Sequence, residues 1–176
     1  METFGHRVQE WQVFYATMAG VSATLVGLLF VALYMNVDMF IKSENQYLKR
    51  LARMVYGSFV LVLFSSLMFL IPNQSAWGLA TPLFFFGITA VLDSAYAYIE
   101  VRPHQHRIPT TDRRRIYRSM WRAFFGRSAL VVASVLLFTD IPGLFYWMTV
   151  PLLASLLAAC QNCWDLLVGA RERLSH

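Results

Sequence analysis

The chain is 176 residues long, 57% hydrophobic and 14% charged, with a formal net charge of +5. Soluble domains carry roughly 25% charged residues, so this composition excludes an ordinary water-soluble fold and points to a bilayer. The basic excess then reads as a membrane-topology signal and not as nucleic-acid binding.

Five segments reach the roughly 20 apolar residues that a helical span needs: residues 11–35, 51–71, 77–98, 123–139 and 144–168. The first lacks a basic n-region and an A-x-A-like site and is longer than the roughly 7–15 residues of an h-region, so it is expected to be retained. Within it Ala16, Gly20, Ala23 and Gly27 fall in steps of four, three and four, on one narrow stripe of a helix. Such a stripe permits close helix–helix approach in lipid, and it is the expected packing surface of this span. The second span ends at Pro72 and the fourth at Asp140-Ile-Pro-Gly143, both breaker signals that make short antiparallel connections.

The loop at residues 99–122 is rich in arginine, including Arg113, Arg114, Arg115, Arg118 and Arg122. Thr110-Thr111-Asp112 offers a helix N-cap, and Ile116, Met120, Trp121, Phe124 and Phe125 share a side. This pattern predicts a helix lying in the headgroup layer before turning into the fourth span, its arginines read first as snorkelling positive-inside residues, with a specific site for anionic lipid or an acidic partner as the alternative.

Lys42, Lys49, Arg50 and Arg53 follow the first span, the arginine loop follows the third, and Arg171 and Arg173 follow the fifth. The positive-inside rule then places the N-terminus outside and the C-terminus inside. The tryptophans fit as headgroup anchors, with Trp11, Trp77 and Trp147 outside and Trp121 and Trp164 inside. The expected fold is therefore all-α, a polytopic bundle of five transmembrane helices forming one integral membrane domain over residues 1–176.

Ionisable groups within spans are candidates for function, because a charge in lipid is costly. Asp93 and Asp165 both lie toward the cytoplasmic side, at the depth of Gln161, Asn162 and Asn36. Two readings stand: a polar vestibule that binds a proton or cation, or Asp93 paired with Arg127 and Asp165 hydrated at the interface. The outer half offers only scattered hydroxyls such as Thr17, Ser22, Ser65 and Ser66, which weakens a channel. Cys160-Gln-Asn-Cys163 has no second ligand pair and His104-Gln-His106 falls in a loop, so neither metal nor cofactor is expected. The catalytic fingerprints of hydrolases, metalloproteases and nucleotide enzymes are missing, and the expectation is a non-enzyme.

The run FYATMAGVSATLVGLLFVALYMNV, with Phe14-Tyr15, Ala19-Gly20, Ser22-Ala23, Leu25 and Gly27-Leu-Leu-Phe-Val-Ala32, resembles the first span of small, uncharacterised bacterial multi-spanning membrane proteins. The resemblance implies a bacterial inner-membrane location. Some members are labelled modulators of a membrane-bound AAA protease, which implies a regulatory membrane-protein partner.

The functional expectation is a structural or regulatory protein of the inner membrane, self-associating through its helices and presenting a basic cytoplasmic face to anionic lipid. The alternative is a homo-oligomeric ion channel or transporter with an acidic cytoplasmic-side vestibule.

Overall fold

The computed structural model describes residues 8–35, 46–72, 75–101, 110–139 and 144–174, with side chains at 8–35, 49, 52–72, 75–99, 117–118, 120–139 and 145–164. The described residues are helical throughout: α1 (Gln12–Met35), α2 (Gln46–Phe69), α3 (Ala76–Val101), α4 (Thr110–Leu136, followed by a 3₁₀ turn at Leu137–Thr139) and α5 (Leu144–Leu174). Ser75 caps α3, its hydroxyl accepting the Gly78 amide at 3.1 Å while its carbonyl accepts the Leu79 amide at 3.1 Å. Pro82 and Pro151 lie inside α3 and α5, yet both helices continue through them. Each proline falls within the first two turns, where the carbonyl it leaves without a partner is close to the helix end.

Consecutive helices run antiparallel. Tyr15 stacks on Phe69 while Phe30 meets Tyr56, which sets α1 against α2. Trp77 meets Phe138 and Tyr98 meets Tyr117, which does the same for α3 and α4. The helices α2, α5, α4 and α3 pack in that order into a four-helix ring, closed by a lighter contact of α3 on α2, and α1 lies outside it against α2. The main core is built from Leu61, Val62, Phe69, Leu83, Leu130 and Met148 with their neighbours. Two smaller clusters flank it. One is centred on Val55, Phe59 and Leu29, and the other, of Met54, Ala97, Met120 and Ala123, lies where α2, α3 and α4 meet.

Among the described residues, four helical stretches are long and apolar enough to cross a membrane: Gln12–Met35, Ala52–Phe69, Ala76–Ile99 and Met120–Thr139. The surface agrees, since Leu28, Phe85, Leu92, Val132 and Leu157 all face outward, an apolar exterior that water would not support. α5 is not among the four over its described side chains, residues 145–164, although no charged residue falls between Leu144 and Trp164. It is nevertheless a full member of the ring, burying Met148, Leu152 and Ala159 completely.

One expectation changes, and one that the sequence leaves open, whether the stripe of α1 packs within the chain or between chains, is narrowed. The arginine-rich segment before the fourth span is not a separate helix that turns. It is the start of α4, which runs unbroken over 27 residues, about 40 Å at 1.5 Å per residue. No proline falls between Thr110 and Leu136, and Gly126 alone does not end a helix. The stripe Ala16, Gly20, Ala23 and Gly27 does not pack against the described residues of its own chain: all four residues are exposed, and a Cβ on Gly20 or Gly27 would meet nothing described within 4 Å. α1 instead buries Tyr15, Met18, Ala19, Ser22 and Leu29, a face about 125° around the helix from the stripe. Its register is fixed by large side chains, above all by Tyr15 lying flat on Phe69 with ring centroids 3.9 Å apart.

Close helix approach occurs at other glycines. A Cβ at Gly87 would stand 2.8 Å from Val131 Cγ2 and 3.6 Å from its backbone nitrogen, and one at Gly126 would stand 2.7 Å from Ser155 Oγ. Gly87→Leu is therefore expected to destabilise by about 1–3 kcal/mol through overpacking, whereas Gly20→Leu leaves the unfolding temperature of the isolated chain unchanged. Thermal unfolding in detergent of the two variants side by side checks the difference.

Candidate functional site

The polar chemistry of the described residues concentrates on α4. Arg122 and Arg127 are five residues apart, about 140° around the helix, so one guanidinium reaches α5 and the other α3. Each has a different set of ligands.

Arg127 is 4% exposed. Its Nη1 donates to the Ala90 carbonyl at 3.2 Å and to the Ser94 hydroxyl, and lies 3.6 Å from a carboxylate oxygen of Asp93. Ser94 in turn donates to the Ala90 carbonyl at 3.0 Å, so these groups form one connected patch on α3. Ala90, Asp93 and Ser94 share a helix face by their spacing of three and four. From the other side Gly57 of α2 makes the room: a Cβ there would lie 3.3 Å from Arg127 Nη2. Only Nε of this guanidinium is buried without a hydrogen-bond partner.

Arg122 ties α4 to α5. Its Nη1 donates to the Gln161 side-chain oxygen and its Nη2 to that of Asn162 at 3.2 Å. Asn162 is 2% exposed, so this amide would be a buried orphan without the arginine. Both described ligands are neutral, and the positive charge of Arg122 is solvated by them without being cancelled.

The residues predicted for a vestibule therefore fall into two groups. Asp93 belongs to the Arg127 patch, whereas Gln161 and Asn162 belong to the Arg122 pair. Asn36 lies outside the described residues, as do the side chains of Asp165, Arg113, Arg114 and Arg115. Arg118 is exposed on α4, one turn from Arg122. Cys160 and Cys163 are free thiols, and the described residues contain no group of three or more metal-ligating side chains. Several hydroxyls satisfy themselves on their own helices: Thr17, Thr24, Ser58, Thr81 and Thr149 donate to carbonyls three or four residues back. Tyr15, Ser22, Ser65 and Ser66 keep buried oxygens without hydrogen-bond partners.

Sequence reasoning identified Asp93 and Arg127 as a candidate pair by their depth. It missed Ser94 and Gly57, whose only signal was a hydroxyl one residue past Asp93 and a lone glycine in α2. No family model matches the chain, and no curated protein or solved structure is significantly similar to it.

The network makes a thermodynamic prediction. Ser94→Ala leaves the buried guanidinium short of an acceptor and is expected to cost about 1–3 kcal/mol. Asp93→Asn is expected to cost about 1 kcal/mol, because that carboxylate is 59% exposed and screened. Adding Arg127→Met to Ser94→Ala removes the charge that needs the hydroxyl and should restore most of the loss. Unfolding in detergent checks this: a double variant no more stable than Ser94→Ala would show that the hydroxyl does not serve the arginine.

Proposed function

We propose that the chain is a non-enzymatic structural or regulatory protein of a bacterial inner membrane, crossing it five times with the N-terminus outside and the C-terminus inside. The antiparallel order supports this, because it gathers Lys49, Arg53, Arg118, Arg122 and Arg127 toward one end of the bundle. Trp121 and Trp164 lie toward that end, and Trp11, Trp77 and Trp147 lie at the other. Along α5, Trp147 and Trp164 are separated by about 26 Å at 1.5 Å per residue, close to the roughly 30 Å of a hydrocarbon core. This spacing supports α5 as the fifth span. The resemblance of the first span to small bacterial membrane proteins fits the same setting.

Its working surfaces are the outer face of α1 and the basic end of the bundle. The observation that carries the reading is the stripe Ala16, Gly20, Ala23 and Gly27, exposed on a helix that its own chain holds from one side only. In lipid, small residues on a free face let another helix approach closely, and a second copy of α1 supplies such a face by symmetry. The arrangement favours this over a cation channel. Asp93 stands beside Arg127, and Gln161 and Asn162 accept from Arg122, so guanidinium groups occupy the positions a permeating cation would need.

Gly20→Leu provides the test. A Cβ at this position meets no described residue of its own chain within 4 Å, so the fold tolerates the change. The wild type in lipid nanodiscs or mild detergent is expected to run as an oligomer and Gly20→Leu as a folded monomer, measured by light scattering. Equal particle mass for the two proteins would remove the stripe as the association surface.

A further inference from the structure

A furrow runs along the outside of the bundle between α4 and α5, with a volume of about 970 Å³. Its floor is made of small or flat residues, Gly126, Ala129 and Ala133 on α4 and Pro151, Ala154 and Ala158 on α5. Gly126 brings the two backbones together there, since a Cβ would stand 2.7 Å from Ser155 Oγ. The walls are Phe125, Val132, Val150 and Leu157, each more than half exposed. From Arg118 to Leu136 the furrow is about 27 Å long at 1.5 Å per residue. It has one polar end, formed by Arg118, Arg122 and Gln161 with the half-exposed indole of Trp121, and no acidic side chain among the described residues lines it.

We infer that this furrow is a binding site for an anionic phospholipid, with the phosphodiester held between Arg118 and Arg122 and an acyl chain lying along the α4–α5 floor. The proposal rests on the membrane reading above, which sets the arginine end at headgroup level. Three features select this occupant. The Arg122 guanidinium is already oriented by Gln161 and Asn162, and these neutral amides leave its charge for an anion to meet. Arg118, one turn away and exposed, can close on the same phosphate. Below them the lining is apolar and continuous, as an acyl chain requires and a free phosphate does not. A second copy of the chain fits less well, because pairing two furrows about a two-fold axis along the bundle would bring four arginines together.

The test uses the full chain in detergent micelles containing equimolar phosphatidylglycerol and phosphatidylcholine with identical acyl chains, read by native mass spectrometry. Wild type is expected to retain phosphatidylglycerol in about tenfold excess. Arg118→Gln should bring the two lipids to parity. Ala154→Leu fills the floor at an exposed position away from the arginines and should reduce retention of both lipids. Equal retention by wild type overturns the site. Undiminished amounts of both lipids on Ala154→Leu overturn the furrow and leave only attraction to a charged surface. An unchanged ratio in Arg118→Gln overturns the headgroup assignment. The same spectra report subunit number, so failure of the lipid site is distinguishable from failure of self-association through α1.

Discussion

Among the described residues, one buried cation sets the geometry of this bundle. Arg127 places a guanidinium among apolar helices at 4% exposure, where it can persist only if acceptors are ready for it. α3 supplies three of them on one face, the Ala90 carbonyl, the Ser94 hydroxyl and the Asp93 carboxylate. α2 contributes the space over Gly57. Sliding any of the three helices by one turn, about 5.4 Å, would move the charge away from its ligands or into a side chain. The apolar core is forgiving about register, because one leucine replaces another at small cost; the arginine is not.

Arg122 extends the same logic to the fourth wall of the ring. Because it projects about 140° from Arg127, α4 is tied to α5 as firmly as to α3, and the two ties lie little more than one turn apart. The result is a polar layer at one end of an otherwise apolar bundle. The layer uses acids and amides to satisfy arginines, and this is why Asp93, Gln161 and Asn162 do not converge on a common centre. α1 takes no described part in it. Held to α2 by Tyr15 and its neighbours, it is free to carry a second set of contacts on its outer side.

Much of this architecture was legible in the sequence, because hydropathy and chain breakers act locally. The apolar segments, the turn after Pro72 and the common depth of Asp93 and Arg127 all follow from counting residues along helices. What was not legible depends on azimuth and on partners. The stripe of Ala16, Gly20, Ala23 and Gly27 states that close approach is permitted, but not by what. Within the chain that role went to isolated glycines, Gly57, Gly87 and Gly126, which form no stripe and gave no periodic signal. The vestibule reading placed Asp93, Gln161 and Asn162 at one level and could not see that they face different arginines. The segment before the fourth span had the amphipathic pattern of a surface helix, but nothing in it stops the helix, and α4 simply begins there. The face shared by Trp147, Pro151, Ala154, Ala158 and Gln161 was visible as a pattern; only the packing of α4 beside it made a furrow.

The bundle is proposed to cross the membrane five times with its arginine layer facing the interior of the cell, and the side of the membrane reached by α5 tests this most directly. In a background with Cys160 and Cys163 replaced by serine, single cysteines at Ser75 and at Ser175 would be labelled in intact cells with a membrane-impermeant maleimide. The account predicts that Ser75→Cys reacts from outside and that Ser175→Cys reacts only after permeabilisation. Labelling of both from outside would mean that α5 does not cross, and would contradict the account.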